Sequence, residues 1–249
     1  MTPGTGSGAA LTRDLLSRHP AEAAPLLLGR VLFVPGDGIA ARITEVEAYG
    51  GPADSPWPDP GAHTWPGPTD RNRAMFGPAG HLYLYRSYGI HTCMNVTAGP
   101  EGTGAGILLR AATLLSGHEV VGERRRAPDR GVGKRGIPAH RLASGPGNLG
   151  RALGAGPADY GIDLLDPASR ITLVPTGPVL ADGRTRGDTD AGTGAGTGTV
   201  TDTGTGTAAR VSSGPRVGLR LASAREWRFW VDDPSVTPYR RHANADGEP

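Results

Sequence analysis

The chain has 249 residues, 37% of them hydrophobic, with a formal net charge of +2 and a pI near 8.9. That length suffices for one domain with its own core or for two small ones, and the mild basicity permits a polyanionic partner without demanding one. A single cysteine, Cys93, excludes an intramolecular disulfide framework, a Cys-rich zinc site and a four-Cys iron–sulfur cluster.

Residues 1–10 have the composition of a disordered start. Residues 11–29 carry Leu11, Leu15, Leu16, Ala23, Leu26 and Leu27 at helical spacing, and Pro20 divides them into two short helices. RVLFV (30–34) and ARITEVEAY (41–49) read as a β-hairpin across the turn Pro35-Gly36-Asp37-Gly38. Strict alternation in its second strand places Ile43, Glu45, Glu47 and Tyr49 on one face. Residues 50–70 form a long loop with six prolines. HLYLYRSYGIHTCMNVTA (81–98) reads as strand, glycine turn and strand, and GAGILLRAA (104–112) as the next strand. Residues 114–126 read as a helix that runs into a basic stretch. A second helix over 143–154 is entered through Ser-Gly-Pro, with Pro146 near its first turn. ITLVP (171–175), RVGLRLAS (216–223) and REWRFWV (225–231) read as closing strands.

Residues 187–207 hold eight Thr and seven Gly among 21 positions. Such low-complexity sequence cannot build a core, so a disordered insertion is expected over 183–212. The last residues, 242–249, are expected to be disordered as well. The segment lacks the period of calcium β-rolls, and GTGAG (102–106) lacks nucleotide-loop spacing, so neither a metal nor a cofactor is expected. No apolar run approaches a signal peptide or a membrane span, which places the protein in the cytoplasm.

Two clusters carry possible chemistry. Glu47 is a carboxylate in an apolar strand: either a salt-bridged surface group or a general base held in fixed geometry, with Glu45 as its rival on the same face. Three of the six tyrosines, Tyr83, Tyr85 and Tyr88, fall within six residues. They are either sheet packing or the walls of a pocket for a flat heterocycle, and Tyr88 beside Gly89 is placed to project from a turn. Tyr49 and the loop residue His63 are candidates for the same pocket, where electron-rich rings also favour cationic bases. Asn95, on an apolar strand, needs hydrogen-bond partners if buried. The stretch 122–141 holds seven Arg or Lys against two acids: a solvated loop or an arm for DNA phosphates.

The ordered motifs ITEVEAY, PTDRNRAMFGPAGHLYLYRSYGIHTCMNV, GILLRAA and LASGPGNL strongly resemble the alkyladenine (3-methyladenine/hypoxanthine) DNA glycosylase family, over about residues 11–180 and 215–241. The resemblance implies an α+β fold: one mixed glycosylase domain over 11–241, built on a curved antiparallel sheet with peripheral helices. It implies a monomer without metal or cofactor, associated with the nucleoid, that flips alkylated or deaminated purines from double-stranded DNA. It assigns Glu47 to activation of water, and Arg110 to the flipped nucleotide's phosphate side and the ordering of that water. Tyr49, His63 and Tyr85 correspond to groups stacking around the base, Asn95 to a group that helps exclude guanine, and Tyr88 to the ring that fills the vacated duplex position. The extra PWPDP between Tyr49 and His63 departs from the family pattern and bears on the register of His63. A lyase needs an amine, and the only lysine, Lys134, lies in the basic stretch, so hydrolysis without lyase activity is expected. Two other classes remain open from the residues: a non-catalytic nucleic-acid-binding module, which would not need Glu47, and a free-nucleoside hydrolase, which would not need Tyr88.

Overall fold

A computed structural model describes residues 10–87, 89–126, 136–175 and 210–245. Several expectations lie outside these spans: the segment 1–9, Tyr88, the middle of the basic stretch with Lys134, most of the 183–212 insertion, and residues 246–249.

The described residues form β1 (Val31–Val34), β2 (Ile39–Tyr49), β3 (Leu82–Ser87), β4 (His91–Ala98), β5 (Ala105–Ser116), β6 (Thr172–Val174), β7 (Val211–Gly214) and β8 (Arg228–Val231). They make one antiparallel sheet in the order β3-β4-β5-β2-β1-β6, with β8 on β2 and β7 outside β8. Strand β2 is the axis. One edge pairs with β5 along almost its whole length, and the other edge is shared between β1 and β8. The β1–β2 turn closes through Gly38 at φ 62, a left-handed position that glycine adopts without penalty.

One face of the sheet is apolar. Leu82 and Leu84, Met94, Val96 and Ala98, Ile107 and Leu109, and Val46 and Ala48 all enter one core cluster. Each fully buried side chain of this kind contributes about 1.5–3 kcal/mol. Four short helices lie with this core: α1 (Arg13–Leu16), α2 (Pro20–Ala23), α3 (His118–Arg126) and α4 (Pro146–Ala152). They supply Leu16, Ala23, Val121, Leu149 and Ala152 to it. Pro20 starts α2 at its first position and so divides it from α1, as the sequence indicates. Pro146 starts α4 after Gly145 at φ 97.

Besides a shift in β5 alone between Leu114 and Ser116, the alternation breaks in β2 and β5 together. Ile43 pairs with Ala112 and Val46 with Leu109, so each strand spends three residues where two would keep the pleat. A matched pair of bulges leaves the register unchanged but reverses the faces beyond it. The expectation that Ile43 shares a face with Glu45, Glu47 and Tyr49 is therefore corrected: Ile43 lies in the apolar core with Val46 and Ala48.

Two elements differ from expectation. Strand β5 runs to Ser116 because Thr113, Leu114 and Ser116 continue the ladder with Arg42, Ala41 and Ala40. The helix expected from 114 begins only at His118, beyond Gly117 at φ 77. Residues 216–223 form no strand, since Gly218 and Ala222 take left-handed conformations. On the edge away from β2, β8 pairs instead with β7, which takes in Val211 and Ser212 at the end of the Gly/Thr-rich stretch. Among the described residues no helix is long and apolar enough to cross a membrane.

Helix α4 packs against β4 through a seam too close for side chains. A Cβ on Gly150 would stand 2.0 Å from the Thr92 carbonyl oxygen. Gly150→Ala must push the helix off the strand and should lower stability by about 1–3 kcal/mol. Denaturant midpoints check this, and an unchanged midpoint would mean that the seam is looser than described.

Candidate active site

The opposite face of the central strands is polar and aromatic. A single register row runs across it, from Tyr83 to Asn95 to Leu108 to Glu47 to Arg228. Because β3, β4, β5 and β2 alternate in step, the sequence-nominated strand residues Glu47, Tyr49, Tyr85, Asn95 and Arg110 share this one face.

Glu47 is fully buried. Its Oε2 accepts from the Tyr49 hydroxyl at 2.9 Å and from Arg110 Nη1 at 3.1 Å. Its Oε1 accepts from the Val217 backbone N–H at 2.6 Å. A carboxylate accepts at about four positions, so three donors fix its orientation and leave about one position for a water proton.

Glu45, also fully buried, holds the other side of the same arginine. Arg110 Nε donates to Glu45 Oε1 at 2.7 Å, and Arg228 Nε donates to the same oxygen at 2.7 Å. Thr237 adds its backbone N–H at 2.7 Å and its hydroxyl at 2.8 Å. Burial pushes the Glu45 carboxyl upward, but Arg110, the Thr237 N–H and Arg228 outweigh it and hold its pKa below the ordinary value. Arg110 is raised well above its ordinary range: burial opposes its charge, and Glu47 and Glu45 more than offset that. The rivalry between the two glutamates is thus a difference of environment. Glu45 is saturated by fixed donors and structural, whereas Glu47 keeps an unfilled position beside the aromatic groups.

Tyr49 is half-buried. Burial first, and then the neighbouring Glu47 charge, raise its phenol well above the usual range, so it remains a donor to Glu47. Tyr85 is also half-buried, and the His63 ring meets it edge-on at 4.4 Å between centroids. The proline-rich loop therefore does deliver His63 to the aromatic cluster. Asn72 holds that loop by donating from Nδ2 to the His63 carbonyl at 3.2 Å and to the Gly67 carbonyl at 3.0 Å. Desolvation, with Arg71 second, lowers the imidazole pKa of His63 although the residue as a whole is exposed. Tyr83 is packing rather than wall: it is buried, stacks near Tyr85 at 6.1 Å, and burial pushes its phenol up to about 12. Asn95 is buried opposite Tyr83 and donates to its carbonyl at 3.4 Å. Cys93 is buried opposite Tyr85, and burial raises its thiol pKa.

Five residues of this region carry no signal in the sequence. Val217 contributes only its backbone, and Arg228, Thr237, Asp59 and Arg216 acquire their roles through contacts across more than a hundred residues. Among the described residues no three His, Cys, Asp or Glu side chains converge to hold a metal ion.

Comparison with known proteins assigns the chain to a class. The chain is a DNA glycosylase, a hydrolase of the N-glycosyl bond that acts in DNA repair. More narrowly, it belongs to the methylpurine-DNA glycosylase (MPG) family, whose model matches residues 14–235. A Nocardia farcinica protein is 42% identical over 233 residues, covering 92% of this chain and 91% of its own length. A Mycobacterium tuberculosis H37Rv protein is 43% identical over 236 residues, covering 94% and 97%. A Rhodococcus jostii protein is 43% identical over 228 residues, covering 91% and 84%. All three carry the name "Putative 3-methyladenine DNA glycosylase".

The depressed Glu45 carboxyl has a consequence for stability. Its ionised form contributes stability that is complete above its unfolded pKa of 4.5 and is lost as pH falls through the lower folded value. Glu45→Gln leaves Arg110 and Arg228 short of a counter-charge and should cost about 3–5 kcal/mol near pH 7. The deficit against the wild type should shrink below about pH 4.5. Urea midpoints across that range measure it, and a deficit independent of pH would show that the Glu45 charge is not what matters.

Proposed function

We propose that the protein flips alkylated or deaminated purines, such as 3-methyladenine, 7-methylguanine and hypoxanthine, out of double-stranded DNA and hydrolyses the N-glycosidic bond with a water activated by Glu47. The observation that carries this reading is the buried Glu47 carboxylate, oriented by Tyr49, Arg110 and Val217, with about one acceptor position unfilled next to the half-buried rings.

In this mechanism the flipped purine lies between Tyr49 and the His63–Tyr85 pair. Glu47 takes a proton from a water behind the anomeric carbon, and that water attacks as the base leaves. Positive charge develops on the sugar and is stabilised by the same carboxylate. Arg110 keeps Glu47 aimed at the water. Its guanidinium donates to Glu45, Glu47 and Thr237, so its role in ordering the water runs through Glu47, and a contact to the nucleotide's phosphate side would require one of these bonds to be exchanged. Asn95 lies at the pocket edge, where an amide discriminates against a guanine amino group. Tyr88 fills the gap in the duplex and offsets part of the cost of flipping, a few kcal/mol. Alkylated bases are good leaving groups, whereas hypoxanthine needs protonation or a hydrogen bond. The chemistry needs one copy of the chain and no lyase amine, and the basic stretch 122–141 would contact phosphates on either side of the lesion.

Single-turnover excision from duplexes carrying hypoxanthine or 7-methylguanine tests the core of this reading. Wild type should release base, and Glu47→Gln should bind the same duplex but react about 10²- to 10⁴-fold more slowly. Borohydride added to the wild-type reaction should trap no covalent adduct. Binding without release of either base by the wild type would instead favour a non-catalytic module. Tyr88→Ala should slow excision from duplex DNA markedly, and undiminished excision by that variant would remove the wedge role and favour a nucleoside hydrolase.

A further inference from the structure

A second buried ion pair lies behind the aromatic wall. The side chains of Arg216 and Asp59 have no solvent access. Arg216 Nη1 donates to Asp59 Oδ2 at 2.5 Å and Nη2 donates to Oδ1 at 2.9 Å, a two-pronged pair. The same guanidinium donates to the Ala48 carbonyl at 3.1 Å and the Ala222 carbonyl at 3.3 Å. Asp59 in turn accepts from the backbone N–H groups of Gly50 and Gly61. The remaining guanidinium nitrogen, Nε, has no hydrogen-bond partner. A group so enclosed cannot reach a DNA phosphate.

What the guanidinium does face is a ring. Its Cζ lies over Tyr49 at 4.7 Å from the ring centroid, and over Trp227 at 5.4 Å. Since Arg216 is buried, the exposed part of the half-buried Tyr49 is not the part that Arg216 covers. Tyr49 therefore carries a permanent cation over its ring while another part of the residue remains accessible.

We propose that the Asp59–Arg216 pair sets the preference of Tyr49 between cationic and neutral damaged bases. The proposal rests on the reading above that a flipped purine stacks on Tyr49. A cation on one face of a ring draws its π-electron density toward itself, and the opposite face then attracts a second cation less strongly. A neutral base such as hypoxanthine loses little by this, whereas cationic 7-methylguanine loses part of its cation–π attraction. Asp59, paired with the guanidinium through both of its oxygens, moderates the effect. Arg216 and Asp59 are positioning residues in this scheme: they act on the substrate through Tyr49.

The two partners must then move selectivity in opposite directions, which a purely structural pair would not do. Single-turnover excision of 7-methylguanine and hypoxanthine is compared for wild type, Arg216→Met and Asp59→Asn, each checked for folding by circular dichroism. Arg216→Met should raise the 7-methylguanine-to-hypoxanthine rate ratio about threefold to tenfold. Asp59→Asn, which leaves the arginine charge unmoderated, should lower that ratio. A ratio that stays fixed, or that moves the same way in both variants, overturns the proposal even if both rates fall. If Arg216→Met does not fold, Asp59→Asn decides alone: a lowered ratio supports the proposal, and an unchanged or raised one overturns it. Release of neither base by wild type would instead overturn the glycosylase reading, and this proposal with it.

Discussion

The site depends on one guanidinium placed between two carboxylates. Glu45 and Glu47 are two residues apart on one strand face, fully buried, and like charges so close cannot both stay ionised without help. Arg110 supplies it, donating to Glu45 through Nε and to Glu47 through Nη1. Its planar fork suits it to span two acceptors, which a lysine ammonium would do less well. The matched bulges of β2 and β5 fall at this point, between Ile43 and Val46 and between Leu109 and Ala112. They let both strands change their facing residues without losing pairing, so the apolar side remains continuous while Arg110 and Glu45 meet on the other.

The sheet thereby divides its work. One face, with Leu82, Met94, Ile107 and Val46, supplies the burial that holds the strands rigid. The other carries polar groups whose desolvation is costly, and these are satisfied by segments arriving from far along the chain. Val217 gives an N–H to Glu47, Arg228 an Nε to Glu45, and Thr237 both an N–H and a hydroxyl to Glu45. All three follow the Gly/Thr-rich stretch. The strands that frame that stretch, β6 and β7, lie outside β1 and β8, both on the side of β2 opposite β5. The length of a flexible connection between two strands matters little in itself, since each doubling costs only about 0.6 kcal/mol.

Much of this was legible in the residues, for a physical reason: alternation in a strand fixes which side chains share a face. Tyr83 and Tyr85, Cys93 and Asn95, and Glu47 and Tyr49 follow that rule, and the structure brings them together on one side. Ile43 does not, because a bulge inserts one residue and leaves no compositional mark. The β5–α3 boundary was misplaced for a related reason. Leu114 and Leu115 suit a helix as well as a strand, and only the ladder with Ala40 and Ala41 decides between them. RVGLRLAS alternates like a strand, yet Gly218 and Ala222 turn the chain so that Val217 offers its N–H to a carboxylate instead of a neighbouring strand. Arg216 and Asp59 were invisible because their meaning lies in a contact between residues 157 positions apart. The family motifs identified the chemistry well beyond what spacing alone supports, and left these supporting residues unnamed.

Three carboxylates (Glu45, Glu47, Asp59) and three guanidiniums (Arg110, Arg216, Arg228) lie buried around the aromatic wall. Each costs several kcal/mol to bring out of water, and pairing offsets that cost only when the geometry is good. The set is formally neutral, so it holds no strong net field over the cleft, and the local arrangement of its charges decides what a bound base experiences. On the Glu47 side, in the proposed mechanism, negative charge would face the position where the sugar becomes positive. Behind Tyr49, positive charge lies against the ring on which the base would stack. On the proposed mechanism, a neutral cluster arranged in this way would separate two tasks that a net charge would confound: stabilising a cation that forms during the reaction, and choosing whether the base that enters is already one.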